Sequence, residues 1–159
     1  MATRLSVGIL LYRFQEGSLE LFAVHPGGPL WSKRDAGAWS IPKGEVDPSI
    51  DDDRSLRREA RREFEEETGH PLPEGKWVSL APIRLKSGKR VMAWAIEGTI
   101  DASAIQSNHF TMEWPPRSGR VGSWPEVDRG AWLSPDEARS KLNRAQFAFV
   151  EELILLLSR

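Results

Sequence analysis

Between Asp51 and Glu67 the chain carries eight acids and five arginines, and this stretch constrains the fold more than any other. Leu56, Ala60 and Phe64 recur through it at four-residue spacing, the mark of one apolar stripe on an α-helix. Glu59, Glu63, Glu66 and Glu67 lie three and four apart, so they share a second, charged stripe. The pattern predicts a helix over Arg54–Thr68, ended by Gly69 and then Pro71. The apolar stripe must pack on another layer, which leaves the carboxylates free to project elsewhere. Like charges at these spacings destabilise a helix by about 0.2–0.5 kcal/mol per pair, only partly offset by Arg58 and Arg62. A salt-bridged, solvated face is the ordinary reading of such a run. A divalent cation is the other, and Mg²⁺ suits it, because that hard ion takes carboxylate oxygen and keeps waters that a phosphate can replace.

The rest of the chain is bland by comparison. Its 159 residues carry a net charge of −1, so the local −3 of this stretch leaves a surplus of only +2 elsewhere. That surplus is too small to argue for a basic groove, and no stable nucleic-acid partner is expected. The absence of Cys excludes a disulfide framework, Cys-ligated metal sites and a thiol nucleophile. It suits a reducing compartment, so a cytoplasmic location is expected. Residues 1–159 are expected to form a single domain. Ile9-Leu10-Leu11 is too short a run for a signal core. Leu153–Leu157 falls far short of the ~20 apolar residues of a membrane span, so no membrane partner is expected.

Punctuation along the chain gives a coarse order. Leu5–Phe14 and Leu19–His25 read as strands turning at Glu16-Gly17, followed by a loop from His25 to Ala38. Trp39-Ser40-Ile41 reads as a short strand stopped by Pro42, and Gly44–Asp53 as a loop. After the helix, Lys76–Leu85 and Arg90–Thr99 read as a hairpin turning at Ser87-Gly88. Residues 101–130, broken by Pro115-Pro116, Gly119, Gly122 and Pro125, read as long and irregular. Ser134-Pro135-Asp136-Glu137 is a helix start with a capping box, and a last helix is expected from about Arg144 to Leu157.

Two segments frame the acidic helix: Trp39-Ser40-Ile41-Pro42-Lys43-Gly44 before it, and Arg62-Glu63-Phe64-Glu65-Glu66-Glu67-Thr68-Gly69 at its end. The second resembles the box of the Nudix hydrolase family, Arg-Glu-apolar-any-Glu-Glu-any-Gly, matched in register by Arg62, Glu63, Phe64, Glu66, Glu67 and Gly69. The family's upstream glycine falls at Gly44, but 18 positions before Arg62 where the signature has 14, so the intervening loop is longer. Asp51, Asp52 and Asp53 are the candidates for the signature's first Glu, and His70 stands at its final apolar position.

The resemblance implies an α/β (α+β) fold: a Nudix-like α/β/α sandwich with a mixed central sheet. It also implies a pyrophosphohydrolase of the bacterial NTP pyrophosphohydrolase-like branch. Such an enzyme would cleave a pyrophosphate bond in nucleoside diphosphate derivatives, using Mg²⁺, with Mn²⁺ as the substitute. Glu63, Glu66 and Glu67 would hold the ion, with Gly44 letting the backbone pass close to it. Glu63, Glu66 and Arg62 would form the catalytic set, Arg62 orienting a helix carboxylate. The general base stays open among a helix Glu, Glu97, Glu113 and Glu126.

Lys43 stands beside the expected phosphate path, in a Pro-Lys-Gly variant resembling that of dinucleoside polyphosphate hydrolases. The loop from Asn108 to Val127 combines Phe110, Trp114 and Trp124 with Arg117 and Arg120, which suits base stacking and phosphate pairing. Trp114, Arg117 and Arg120 are therefore expected to bind substrate. His25–Arg34, with Gly27, Gly28 and Trp31, is a second candidate rim. Dinucleoside polyphosphates or nucleoside triphosphates are the favoured substrates. The alternatives are an ADP-ribose or nucleotide-sugar pyrophosphatase, and a catalytically silent Nudix-fold nucleotide-binding module. The apolar C-terminal helix is expected to pack on the core, with a homodimer interface as its other use.

Overall fold

A computed structural model describes residues 4–159. The first two strands, β1 (Leu5–Gln15) and β2 (Ser18–Pro26), form an antiparallel hairpin through Glu16-Gly17. β1 and β2 pair only between Tyr12–Gln15 and Ser18–Leu21, and then diverge. The chain from Trp39 to Glu45 fills the gap. Ser40 bridges to Val24, Ile9 N–H donates to the Pro42 carbonyl at 3.1 Å, and β3 (Lys43–Glu45) pairs with Ser6–Gly8. Pairing therefore flanks Pro42 on both sides, as isolated bridges at Trp39 and Ser40 and as a ladder at Lys43–Glu45, so Gly44 sits in a strand where the sequence suggested a loop. Pro42, which has no N–H to donate, interrupts the pairing between them.

Helix α1 (Asp53–Thr68) follows. Asp52 caps it by accepting from Ser55 N–H at 2.9 Å, and Gly69 closes it in the left-handed conformation. The long loop before it turns on Asp47, whose carboxylate accepts from both the backbone and hydroxyl of Ser49. Two short strands, β4 (Val78–Ser79) and β5 (Ile83–Arg84), then pair in succession with β6 (Arg90–Glu97) in place of one long hairpin arm.

The region read as irregular is the largest departure. It contains a separate hairpin, β7 (His109–Glu113) and β8 (Val121–Pro125), and the edge strand β9 (Val127–Leu133). The prolines and glycines sit mainly at its turn, and Gly130 hides the period of β9. A Cβ at Gly130 would lie 2.8 Å from the Phe22 ring and 2.9 Å from Ile105. The strand thus needs a residue of low strand propensity in order to pack. α2 (Pro135–Lys141), with the expected capping box at Ser134 and Glu137, a turn of 3₁₀ helix (Arg144–Gln146) and α3 (Phe147–Leu157) complete the chain.

The main sheet runs β4-β6-β1-β2-β9, mixed because β1 and β6 are parallel while the other pairs are antiparallel. Strand alternation sorts its side chains into two cores. Leu10, Tyr12, Leu21, Ala23, Ala93 and Ala95 face α2 and α3 through Ala138, Leu142, Phe149, Val150 and Leu153. Val7, Ile9, Leu11, Phe22, Val24, Trp94 and Ile96 face α1 through Leu56, Ala60 and Phe64. This is the expected α/β/α sandwich. No helix among the described residues is long and apolar enough to cross a membrane.

Candidate active site

Packing the Leu56–Ala60–Phe64 stripe onto the sheet brings the neighbouring acidic stripe of α1 against β3. The two elements meet too closely for a side chain at position 44 while the Glu63 carboxylate keeps this place. A Cβ on Gly44 would lie 2.0 Å from the Glu63 carboxyl carbon. One turn on, Lys43 N–H donates to Glu67 Oε1 at 3.1 Å. Arg62 spans the exposed side of the stripe, donating to Glu59 at 2.6 and 2.9 Å, to Glu66 at 2.8 Å and to Glu63 at 3.0 Å. Among the described residues no three acidic or imidazole side chains converge as a ready-made ion cage. Asp52 and Asp53 are engaged locally, the first as the cap of α1 and the second paired with Arg57 at 2.7 Å.

Beside this stripe lies a cleft of about 140 Å³ lined by Val24, Pro26, Ser40, Lys43, Glu67, Glu126 and Val127. Pro26 and Glu126 also line an adjoining pocket of about 270 Å³, whose other walls include Leu30, Trp31, Phe110 and Met112. Glu126 thus stands on the wall between an acidic cleft and an apolar pocket. The other loop acids do not reach it. Glu113 accepts the backbone N–H groups of Arg117 and Gly119, which ties it into the β7–β8 turn. Glu97 pairs with Tyr12, five residues along β1 from the Val7–Gly44 pair, which is roughly 17 Å. Trp114 follows the end of β7, while Arg117 and Arg120 lie exposed at the hairpin tip, and none of the three lines either cavity.

A family model described as the NUDIX domain matches residues 2–153. The chain belongs to the NUDIX family. Solved structures with this fold include a C. elegans Ap4A hydrolase in a binary complex (TM-score 0.66, 18% identity, 96% of this chain and 98% of that one). The MutT protein of Methanosarcina mazei Go1 is similar (0.61, 18% identity, 99% and 96%). So is the NUDIX domain of Shewanella oneidensis NrtR, solved with ADP ribose (0.60, 16% identity, 100% and 89%).

As a NUDIX pyrophosphohydrolase, the chain keeps its box carboxylates under strain. Burial pushes the Glu67 carboxyl up to about 8, and the neighbouring Glu63 and Glu126 charges push the same way, against the Lys43 N–H and ammonium. Glu63 is raised too, chiefly by burial and opposed first by Arg62. Burial lowers the Lys43 ammonium, with Lys89 adding to the effect. Without divalent cations, the native state holds a proton on Glu67 between 4.5, its ordinary value, and about 8, which the unfolded chain releases. The stability this group allows is therefore fully present below 4.5 and lost as pH rises through about 8. In EDTA the melting temperature is expected to fall across this window more in wild type than in Glu67→Gln. Parallel curves would show that Glu67 ionises freely.

The same NUDIX site has a support that sequence reading missed. His25 is fully buried, with Nε2 2.6 Å from the Arg34 carbonyl and Nδ1 2.9 Å from Asp128 Oδ1. It fastens the loop carrying Leu30 and Trp31 to β9. A lone His in a strand gave no signal of this, because one partner is distant in the sequence and the other lies in a loop.

Proposed function

We propose that this protein hydrolyses a pyrophosphate bond in nucleoside diphosphate derivatives, with dinucleoside polyphosphates or nucleoside triphosphates favoured. The observation that carries the reading is the shared wall at Glu126. An apolar pocket with Trp31 and Phe110 suits a flat base, and it shares Pro26 and Glu126 with a cleft where Lys43 can meet phosphate.

The residues fit a hard divalent cation. Glu63, Glu66 and Glu67 offer only carboxylate oxygen, and Glu67 is a partly buried acid with a single backbone N–H as its partner among the described residues. Bound Mg²⁺ or Mn²⁺ would neutralise phosphate charge and polarise the reacting phosphoryl group. Arg62 balances Glu59, Glu63 and Glu66 and holds their orientation. Lys43 steadies the phosphates, and Glu126 serves as the general base that takes the proton of the attacking water. The water oxygen bonds to phosphorus while the bridging P–O bond breaks, its electron pair leaving on the departing phosphate.

The ADP ribose bound to the NrtR NUDIX domain favours a second reading, an ADP-ribose or nucleotide-sugar pyrophosphatase. A panel of diadenosine tetraphosphate, ATP and ADP-ribose, each with Mg²⁺, Mn²⁺ or EDTA, separates them. EDTA-sensitive cleavage of the first two is expected. Exclusive ADP-ribose cleavage would select the second reading, and no cleavage of any would leave a nucleotide-binding module.

A further inference from the structure

We propose that the face of α1 turned away from the box carboxylates is a second, non-catalytic site for a short polyphosphate. Arg54, Arg57, Arg58 and Arg61 line a groove of about 340 Å³ together with Trp77. Arg57 is paired with Asp53. Arg54, Arg58 and Arg61 make no ion pair and no side-chain hydrogen bond among the described residues. Arg57 and Arg61 lie over the Trp77 ring, 5.6 and 6.0 Å from its centroid.

This arrangement works against the helix that carries it. The four arginines are neighbours at three- and four-residue spacing, where like charges repel. Arg54, Arg57 and Arg58 crowd the N-terminal half of α1, where the helix dipole favours anions. A local conflict of this kind is expected where a ligand resolves it. A phosphoanion does so, because guanidinium forks bind its oxygens through paired hydrogen bonds.

The groove also sets the length and kind of ligand. Arg54 to Arg61 rise about 10 Å along the helix. Asp51, Asp52 and Asp53 bound the row at one end and Glu65 at the other, so a long polyanion would meet repulsion on leaving it. The Trp77 face is already occupied by Arg57 and Arg61, which argues against a stacked base and hence against single-stranded nucleic acid.

Inorganic tripolyphosphate is the probe, titrated calorimetrically in EDTA so that no cation carries it to the carboxylates. One saturable site is expected, weakening linearly with the logarithm of salt concentration. Arg58→Gln/Arg61→Gln should weaken it about tenfold or more, whereas Glu67→Gln should leave it unchanged. Tripolyphosphate should raise the melting temperature of wild type but not of the double variant, which itself should melt no lower than wild type because like-charge pairs are gone. Unsaturable binding, equal binding by the double variant, or loss in Glu67→Gln instead would overturn the site. Tighter binding of a six-residue oligouridylate through the same arginines would overturn the short-chain assignment.

Discussion

Glu67→Gln is expected to lower kcat by about three orders of magnitude, the equivalent of several kcal/mol of lost transition-state charge stabilisation. The amide keeps the shape of the carboxylate, and its oxygen can still accept from Lys43 N–H. Folding should therefore survive, and the variant should melt no lower than wild type at pH 8, since a neutral side chain suits that partly buried position better. Glu66→Gln should fall comparably in activity, with a stability loss of about 1 kcal/mol or less from its half-exposed pairing with Arg62. Rate and thermal midpoint measured on the same preparations test both. Near-wild-type turnover in either variant would sink the ion-binding role of that residue.

Gly44→Ala is the second large effect, and it isolates geometry from charge. Its backbone lies outside the left-handed region, so alanine brings no conformational strain. The atoms nearest the added Cβ are the end of the Glu63 side chain, which can swing aside. Stability should thus change little, while kcat/KM drops about a hundredfold, the order expected when a reacting group is displaced by an ångström or so. A folded, fully active Gly44→Ala would mean that Glu63 need not occupy the position seen here.

The α1 stripe shows why some of the fold was legible. Leu56, Ala60 and Phe64 carry their period in a contiguous stretch, and Asp52 and Gly69 mark its ends with local chemistry. The hairpin of β1 and β2 and the capping box of α2 were readable for the same reason. β9 was not. Its pairing with β2 joins residues about a hundred positions apart, and Gly130 breaks its pattern for the sake of Phe22 and Ile105. The strand at Lys43–Glu45 was missed because its partner, β1, lies far upstream and leaves no trace in the local residues.

The candidate site divides along the same line. That Glu63, Glu66 and Glu67 share one helix face, and that the chain resembles a family using such a face, could be read from the residues alone, because helical spacing is set by neighbours along the chain. Why position 44 is glycine, and that Glu126 and not Glu97 or Glu113 stands beside Glu67, came from the folded arrangement. It alone set Trp31 and Phe110 on one pocket wall while leaving Arg117 and Arg120 at an exposed tip. Those placements depend on packing between segments distant in sequence, and packing has no local period to read.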